Sequence, residues 1–185
     1  KAGFSCVGEF QYLHHQPDGS AYDEPAEMSL RCISAADEAG IAITMLPTLY
    51  NYAGFGGQAP TAGQRRFVNG ADRFLEIYET LKAVCGASPL RRLGISPHSL
   101  RAVTPELLKT VLDGFDDARV HIHVAEQSKE VDDCLAWCGK RPVEFLLDQF
   151  DVSGRWCTIH ATHMTADETQ GLAKSGAIAG LCPTT

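Results

Sequence analysis

The chain has 185 residues, 44% hydrophobic and 21% charged, with a formal net charge of −7; this is the makeup of an ordinary globular domain with enough chain for a sizeable core. The acidic balance and the lack of any basic run argue against nucleic acid or an anionic membrane surface as a partner, and no apolar stretch approaches the ~20 residues that span a bilayer. Seven cysteines, an odd number set mostly among apolar residues, fit reduced thiols of a cytoplasmic protein better than a disulfide framework.

Strand and helix signals alternate along the chain. Phe4 to Phe10 is strand-like. Pro25 to Ala39 is helical, with Met28, Cys32, Ile33 and Ala36 on one face and Gly40 as a stop. Ile41 to Leu46 is a short apolar strand, followed by a long loop through Tyr50 to Gly57. Ala71 to Cys85 carries Phe74, Ile77, Tyr78, Leu81 and Val84 at helical spacing, and Leu93 to Ser96 is the next strand.

Thr104 reads as an N-cap, with Pro105 at the first helical position and Leu107, Leu108, Val111, Leu112 and Phe115 as the buried stripe. A strand from Ala118 ends in His121-Ile-His-Val-Ala-Glu126. Helices follow over Ser128 to Cys138 and Pro142 to Phe150. Cys134 and Cys138 share a helix side with no second pair to complete a tetrahedral metal site, so they read as core. Trp156 to His160 is a strand, Thr165-Ala-Asp-Glu168 is a capping box, and Ala177 to Cys182 is a final strand.

Six short apolar strands, all but the last followed by helix, predict an α/β fold with a parallel sheet and helical crossovers. No Gly-x-Gly-x-x-Gly turn or phosphate loop follows any strand. Polar residues gather instead at the C-terminal ends of several strands, as they do in (β/α)8 barrels. Six strands do not close such a barrel. The expectation is a partial (β/α)8 TIM barrel over residues 1–185, an interior piece holding about strands 2 to 7, with the first and last strands missing.

The strand ends carry the chemistry. In a strand, residues two apart share a face, so His121 and His123 point the same way; His121, one layer deeper, reads as packing. Glu126 lies past the strand end, where it can turn back toward His123. Gln11, Tyr12, His14 and His15 follow the first strand, His98 and Arg101 the third, and His160 and His163 the fifth. An imidazole ligand, a carboxylate to shuttle protons and a second imidazole near the attacking oxygen are the parts of metal-assisted hydrolysis. Arg101 either pairs with a nearby surface acid or offers its planar fork to an acidic substrate.

These residues resemble the amidohydrolase superfamily, and within it the N-formimino-L-glutamate deiminases. The resemblance runs along essentially the whole chain. It rests on Gly8-Glu-Phe-Gln-Tyr-Leu-His-His15, Leu49-Tyr through Gly54-Phe-Gly-Gly-Gln58, Gln64-Arg-Arg66, Ser96-Pro-His-Ser-Leu-Arg-Ala-Val103, His121 through Gln127, His160-Ala-Thr-His163 and Gly180-Leu-Cys-Pro-Thr-Thr185.

The resemblance implies a metal-dependent hydrolase barrel with one Zn²⁺ per active site and a small β-domain, absent here, built from the chain ends. His123 would be a metal ligand. Glu126 would carry a proton from the attacking water to the departing nitrogen, and His160 would hold and polarise that water. His98, Arg101 and, more weakly, Tyr12 would bind substrate, with Arg101 on a glutamate carboxylate.

The reaction implied is hydrolysis of the formimino group of N-formimino-L-glutamate to N-formyl-L-glutamate and ammonia, a step of histidine degradation in the cytoplasm by a homodimer. The rivals are another deaminase or chlorohydrolase of the superfamily acting on a purine-like ring, and a non-catalytic barrel fragment. The superfamily's metal site also needs a His-x-His pair from the first barrel strand and an Asp from the eighth, and neither is in this sequence. The chain alone is therefore expected to be inactive and to bind metal weakly.

Overall fold

The structure, a computed structural model, describes residues 3–184. Two compact units divide it, residues 3–51 with 60–96 and residues 52–59 with 97–184.

The first unit contains β1 (Cys6–Gln11), α1 (Glu27–Ala39), β2 (Ala42–Leu49) and α2 (Ala71–Gly86), and β3 (Arg91–Pro97) ends at its boundary. β1 and β2 pair in parallel, with Cys6 opposite Ala42 and Gln11 opposite Pro47. α1 stops where the sequence predicts, because Gly40 adopts φ 70° and turns the chain left-handed. β2 continues past the predicted Leu46 to Leu49, and its last residues are buried without alternation. An unbroken buried run suits a parallel strand covered on both faces.

The helical stripe of α1 meets the sheet through Ile33 and Ala36, which cluster with Ile43 and Met45 of β2 and with Ile77, Leu81 and Cys85 of α2. Each of the larger side chains in that cluster stabilises the fold by about 1.5–3 kcal/mol through burial. His14 and His15 are tied to backbone. His14 Nε2 donates to the Thr48 carbonyl at 2.8 Å, and His15 Nε2 lies 2.8 Å from the Val68 carbonyl.

The second unit contains α3 (Pro105–Gly114), β4 (Arg119–Val124), α4 (Ser128–Cys138), α5 (Pro142–Gln149), β5 (Trp156–His160), α6 (Ala166–Ser175) and β6 (Ile178–Gly180). β4 pairs in parallel with β5, and β5 with β6. The caps form as the sequence predicts: the Thr104 hydroxyl accepts from Leu107 N at 3.4 Å, and the Thr165 hydroxyl accepts from Glu168 N at 3.2 Å.

Glu168, only 4% exposed, does more than close a capping box. It accepts from Arg141 Nε at 2.7 Å and from Glu144 N at 3.2 Å, while Arg141 Nη2 donates to the His163 carbonyl at 2.6 Å. One buried carboxylate and one guanidinium thus fasten α5, α6 and the segment after β5. Cys134 is buried as expected; its Sγ lies 4.0 Å from that of Cys138, and every cysteine is a free thiol. No described helix is long and apolar enough to cross a membrane.

Burial lowers the pKa of His14 from 6.5 to about 4. Its neutral form is the folded one, while the unfolded chain takes up a proton near pH 6.5. The stabilisation is therefore complete above about pH 6.5 and is lost as pH falls toward 4, by up to roughly 3 kcal/mol. Urea unfolding at pH 7 and pH 4.5 should show His14→Gln losing less stability over that interval than the unaltered chain. Identical losses would contradict this account of His14.

Candidate active site

The second unit gathers side chains from four chain segments. In β4, Val120, Ile122 and Val124 are buried on one face, and His121 and His123 share the other. The His98 carbonyl accepts from His123 N at 2.9 Å and is 3.0 Å from His123 Nδ1. A carbonyl can only accept, so Nδ1 carries the proton and the ring lone pair resides on Nε2. This is how backbone oxygens orient imidazoles that serve as metal ligands.

The His98 ring centroid is 4.8 Å from that of His123, which is 5.4 Å from that of His160. Burial, with His123 and Arg101 adding to it, pushes the His98 pKa down to about 3. Burial also lowers that of His123, against the opposing pull of the His98 carbonyl. Both rings are neutral near pH 7. Each can accept or donate one hydrogen bond there without repelling a cation.

Left-handed backbone at two strand ends aims the remaining groups. Ala125 has φ 51° after β4; His160 and Ala161 have φ 72° and 47° at the end of β5. Non-glycine residues rarely adopt these angles, and such strain persists where surrounding structure enforces it. Here Ala161 N donates to the Val124 carbonyl at 3.0 Å, and Thr162 N and His163 N donate to the Ala125 carbonyl at 3.2 and 3.0 Å. The two turns are bonded to each other. They bring His160 Nε2 to 3.5 Å from Glu126 Oε1.

Arg101 completes the cluster. Its Nη2 is 3.3 Å from Glu126 Oε2 and 3.7 Å from Glu130 Oε2, while its buried Nε has no hydrogen-bond partner among the described residues. A cavity of about 720 Å³ borders Arg101 and Glu130, lined also by Phe55, Gln58 and Trp137, with the Phe55 and Trp137 rings stacked 5.5 Å apart. The histidines do not line it.

His98, Arg101, His123, Glu126 and His160, all singled out from sequence, are thus neighbours in one unit. Tyr12 belongs to the other unit, where its ring meets Phe67 edge-on at 4.9 Å. Among the described residues, no three His, Cys, Asp or Glu side chains are grouped to hold a metal ion. The donor set suits one contributed ligand, His123, rather than a complete four-ligand zinc site. Glu130 is the residue that sequence reasoning passed over. Its one signal was an acid in the first turn of the helix that follows the His-x-His strand.

No family model matches the chain. It is 53% identical to the formimidoylglutamate deiminase of Pseudomonas aeruginosa over 186 residues, which covers 100% of this chain and 41% of that protein. The crystal structure of an amidohydrolase from Brucella melitensis superposes with a TM-score of 0.96 at 55% identity, covering 99% of this chain and 41% of that one. The chain therefore spans less than half the length of either relative.

The crystal structure of an adenosine deaminase from Xanthomonas campestris with bound zinc superposes with a TM-score of 0.68 at 22% identity, covering 94% of this chain and 34% of that one. That likeness shows the fold alone. The fold class expected from the sequence holds: an α/β chain of six parallel strands, forming part of a (β/α)8 barrel.

Removing the guanidinium tests the ion-pair arrangement. Arg101→Met leaves the buried Glu130 carboxylate without its cation. The partner is about 30% exposed, so solvent screens part of the loss. The unfolding free energy from urea titration should fall by about 1–2 kcal/mol; unchanged stability would contradict the pairing.

Proposed function

The chain belongs to the amidohydrolase superfamily, and on that footing we propose that the protein it represents hydrolyses the formimino group of N-formimino-L-glutamate. Water adds to the formimino carbon, the C–N bond to the terminal nitrogen breaks, and N-formyl-L-glutamate and ammonia leave. The observation that carries this reading is the placement of Arg101 3.3 Å from Glu126, with a buried Nε that has no acceptor among the described residues. A guanidinium in that position holds a substrate carboxylate within one small molecule's length of the group that moves the proton.

A zinc ion held in part through His123 would supply Lewis-acid activation of the attacking water. The remaining steps fall to side chains of this chain. Glu126 takes a proton from the water and returns it to the departing nitrogen, which leaves as ammonia. His160, 3.5 Å from Glu126 Oε1, orients the water for attack. His98, neutral near pH 7, hydrogen-bonds the substrate without competing with Arg101 for its negative charge. Positioned acid–base groups of this kind contribute roughly 10²–10⁴-fold in rate.

The reading is tested with the full-length, zinc-loaded protein, measuring ammonia release from N-formimino-L-glutamate, adenosine and guanine. The amidine should be the substrate turned over; turnover confined to a purine would refute the assignment. Glu126→Gln should lower kcat at least about tenfold, about 1.4 kcal/mol or more in the barrier. A variant with unaltered kcat would remove Glu126 from the mechanism.

A further inference from the structure

Glu130 lies in the first turn of α4, yet its carboxylate does not bond to that helix's own backbone. Oε1 accepts from Ala125 N at 3.1 Å and Oε2 from Glu126 N at 3.0 Å, while Oε2 is also 3.7 Å from Arg101 Nη2. The side chain is 1% exposed. Keeping a carboxylate charged at such a depth is costly unless its oxygens are satisfied. Here two backbone amides and a guanidinium satisfy them, and all three belong to the cluster around Glu126.

The bonded amides sit where the chain is strained. Ala125 has φ 51°, a conformation needing enforcement from outside the residue. Glu130 bridges the two peptide N–H groups at that bend. The carbonyl of Ala125 accepts from Thr162 N and His163 N, so the same bend also anchors the segment that follows His160.

We propose that Glu130 is a positioning residue: by clamping the Ala125–Glu126 bend and Arg101 together, it sets the proton-transferring carboxylate and the substrate-binding guanidinium in one fixed relation. It acts through Glu126 and Arg101, and this inference rests on the functional reading given above for those two residues.

Glu130→Gln is the direct probe, since it preserves size. It replaces one acceptor oxygen by an NH₂ that must face a backbone N–H or the guanidinium, which are also donors. In the full-length, zinc-loaded enzyme acting on N-formimino-L-glutamate, kcat should fall at least tenfold. Made in a Glu126→Gln background, the same change should cost less than twofold in kcat, because the proton-transferring carboxylate is already gone, while the loss that comes through Arg101 persists as a higher KM. A purely structural role would give similar losses in both backgrounds. Equal losses, or normal kcat in the single variant, would overturn the proposal.

Amide hydrogen exchange separates this proposal from the substrate assignment because it needs no turnover. Exchange at Ala125 N or Glu126 N should accelerate at least tenfold in Glu130→Gln. Unchanged exchange at both overturns the clamp even if the amidine is the substrate. An unaltered enzyme that ignores the amidine, with the expected exchange, overturns the substrate assignment and leaves the clamp standing.

Discussion

The backbone between His123 and Glu126 is the constraint on which the site depends. Within four residues it donates to the His98 carbonyl, accepts from Ala161, Thr162 and His163, and donates twice to the Glu130 carboxylate. The bonds to His98, Ala161, Thr162 and His163 join the end of β4 to segments distant in sequence, and the two to Glu130 tie it to the first turn of α4. Buried backbone groups must be paired, and the pairing found here fixes the bends from which His123, Glu126 and His160 project. The strained φ of Ala125 is the local cost of that arrangement.

Electrostatics follow from the same placement. Burial keeps His98 and His123 neutral, so the positive charge among them is concentrated on Arg101, where it faces Glu126 and Glu130. An anionic substrate would meet a guanidinium that is already oriented and only partly satisfied. On the far side of the same loop, Arg141 holds the His163 carbonyl while bound to Glu168. The segment after His160 is thereby fixed from both flanks. Preorganisation of this kind lets a site stabilise developing charge without rearranging as the reaction proceeds.

Local signals in the sequence were legible where one residue decides the outcome. Gly40 ends α1, Thr104 and Thr165 cap α3 and α6, and the alternation in β4 puts His121 and His123 on one face. Strand limits were less so: β2 runs through Pro47 to Leu49, since an apolar run says little about where it stops, and a short 3-10 turn at Ala62–Gln64 was passed over although Thr61 and Gln64 have capping-box spacing. The relation of Arg101 to an acid was left open between a surface pair and a substrate fork. The structure gives it two acidic partners together with an Nε that none of the described residues pairs. The proton position on His123 was not readable, and of Glu130 only its place as an acid in the first turn of α4 was, not its contacts. Both are set by backbone carbonyl and amide groups, which every sequence contains and none advertises.

The central claim is that one small molecule spans Arg101 and Glu126, with the amidine at the carboxylate and an acid group at the guanidinium. A crystal structure of the full-length Glu126→Gln variant with N-formimino-L-glutamate bound tests it most directly. The account requires a substrate carboxylate at hydrogen-bond distance, about 3 Å, from Arg101, and the formimino carbon lying between residue 126 and His160. A substrate bound with its carboxylates away from Arg101, or with the formimino group remote from these two residues, would contradict it.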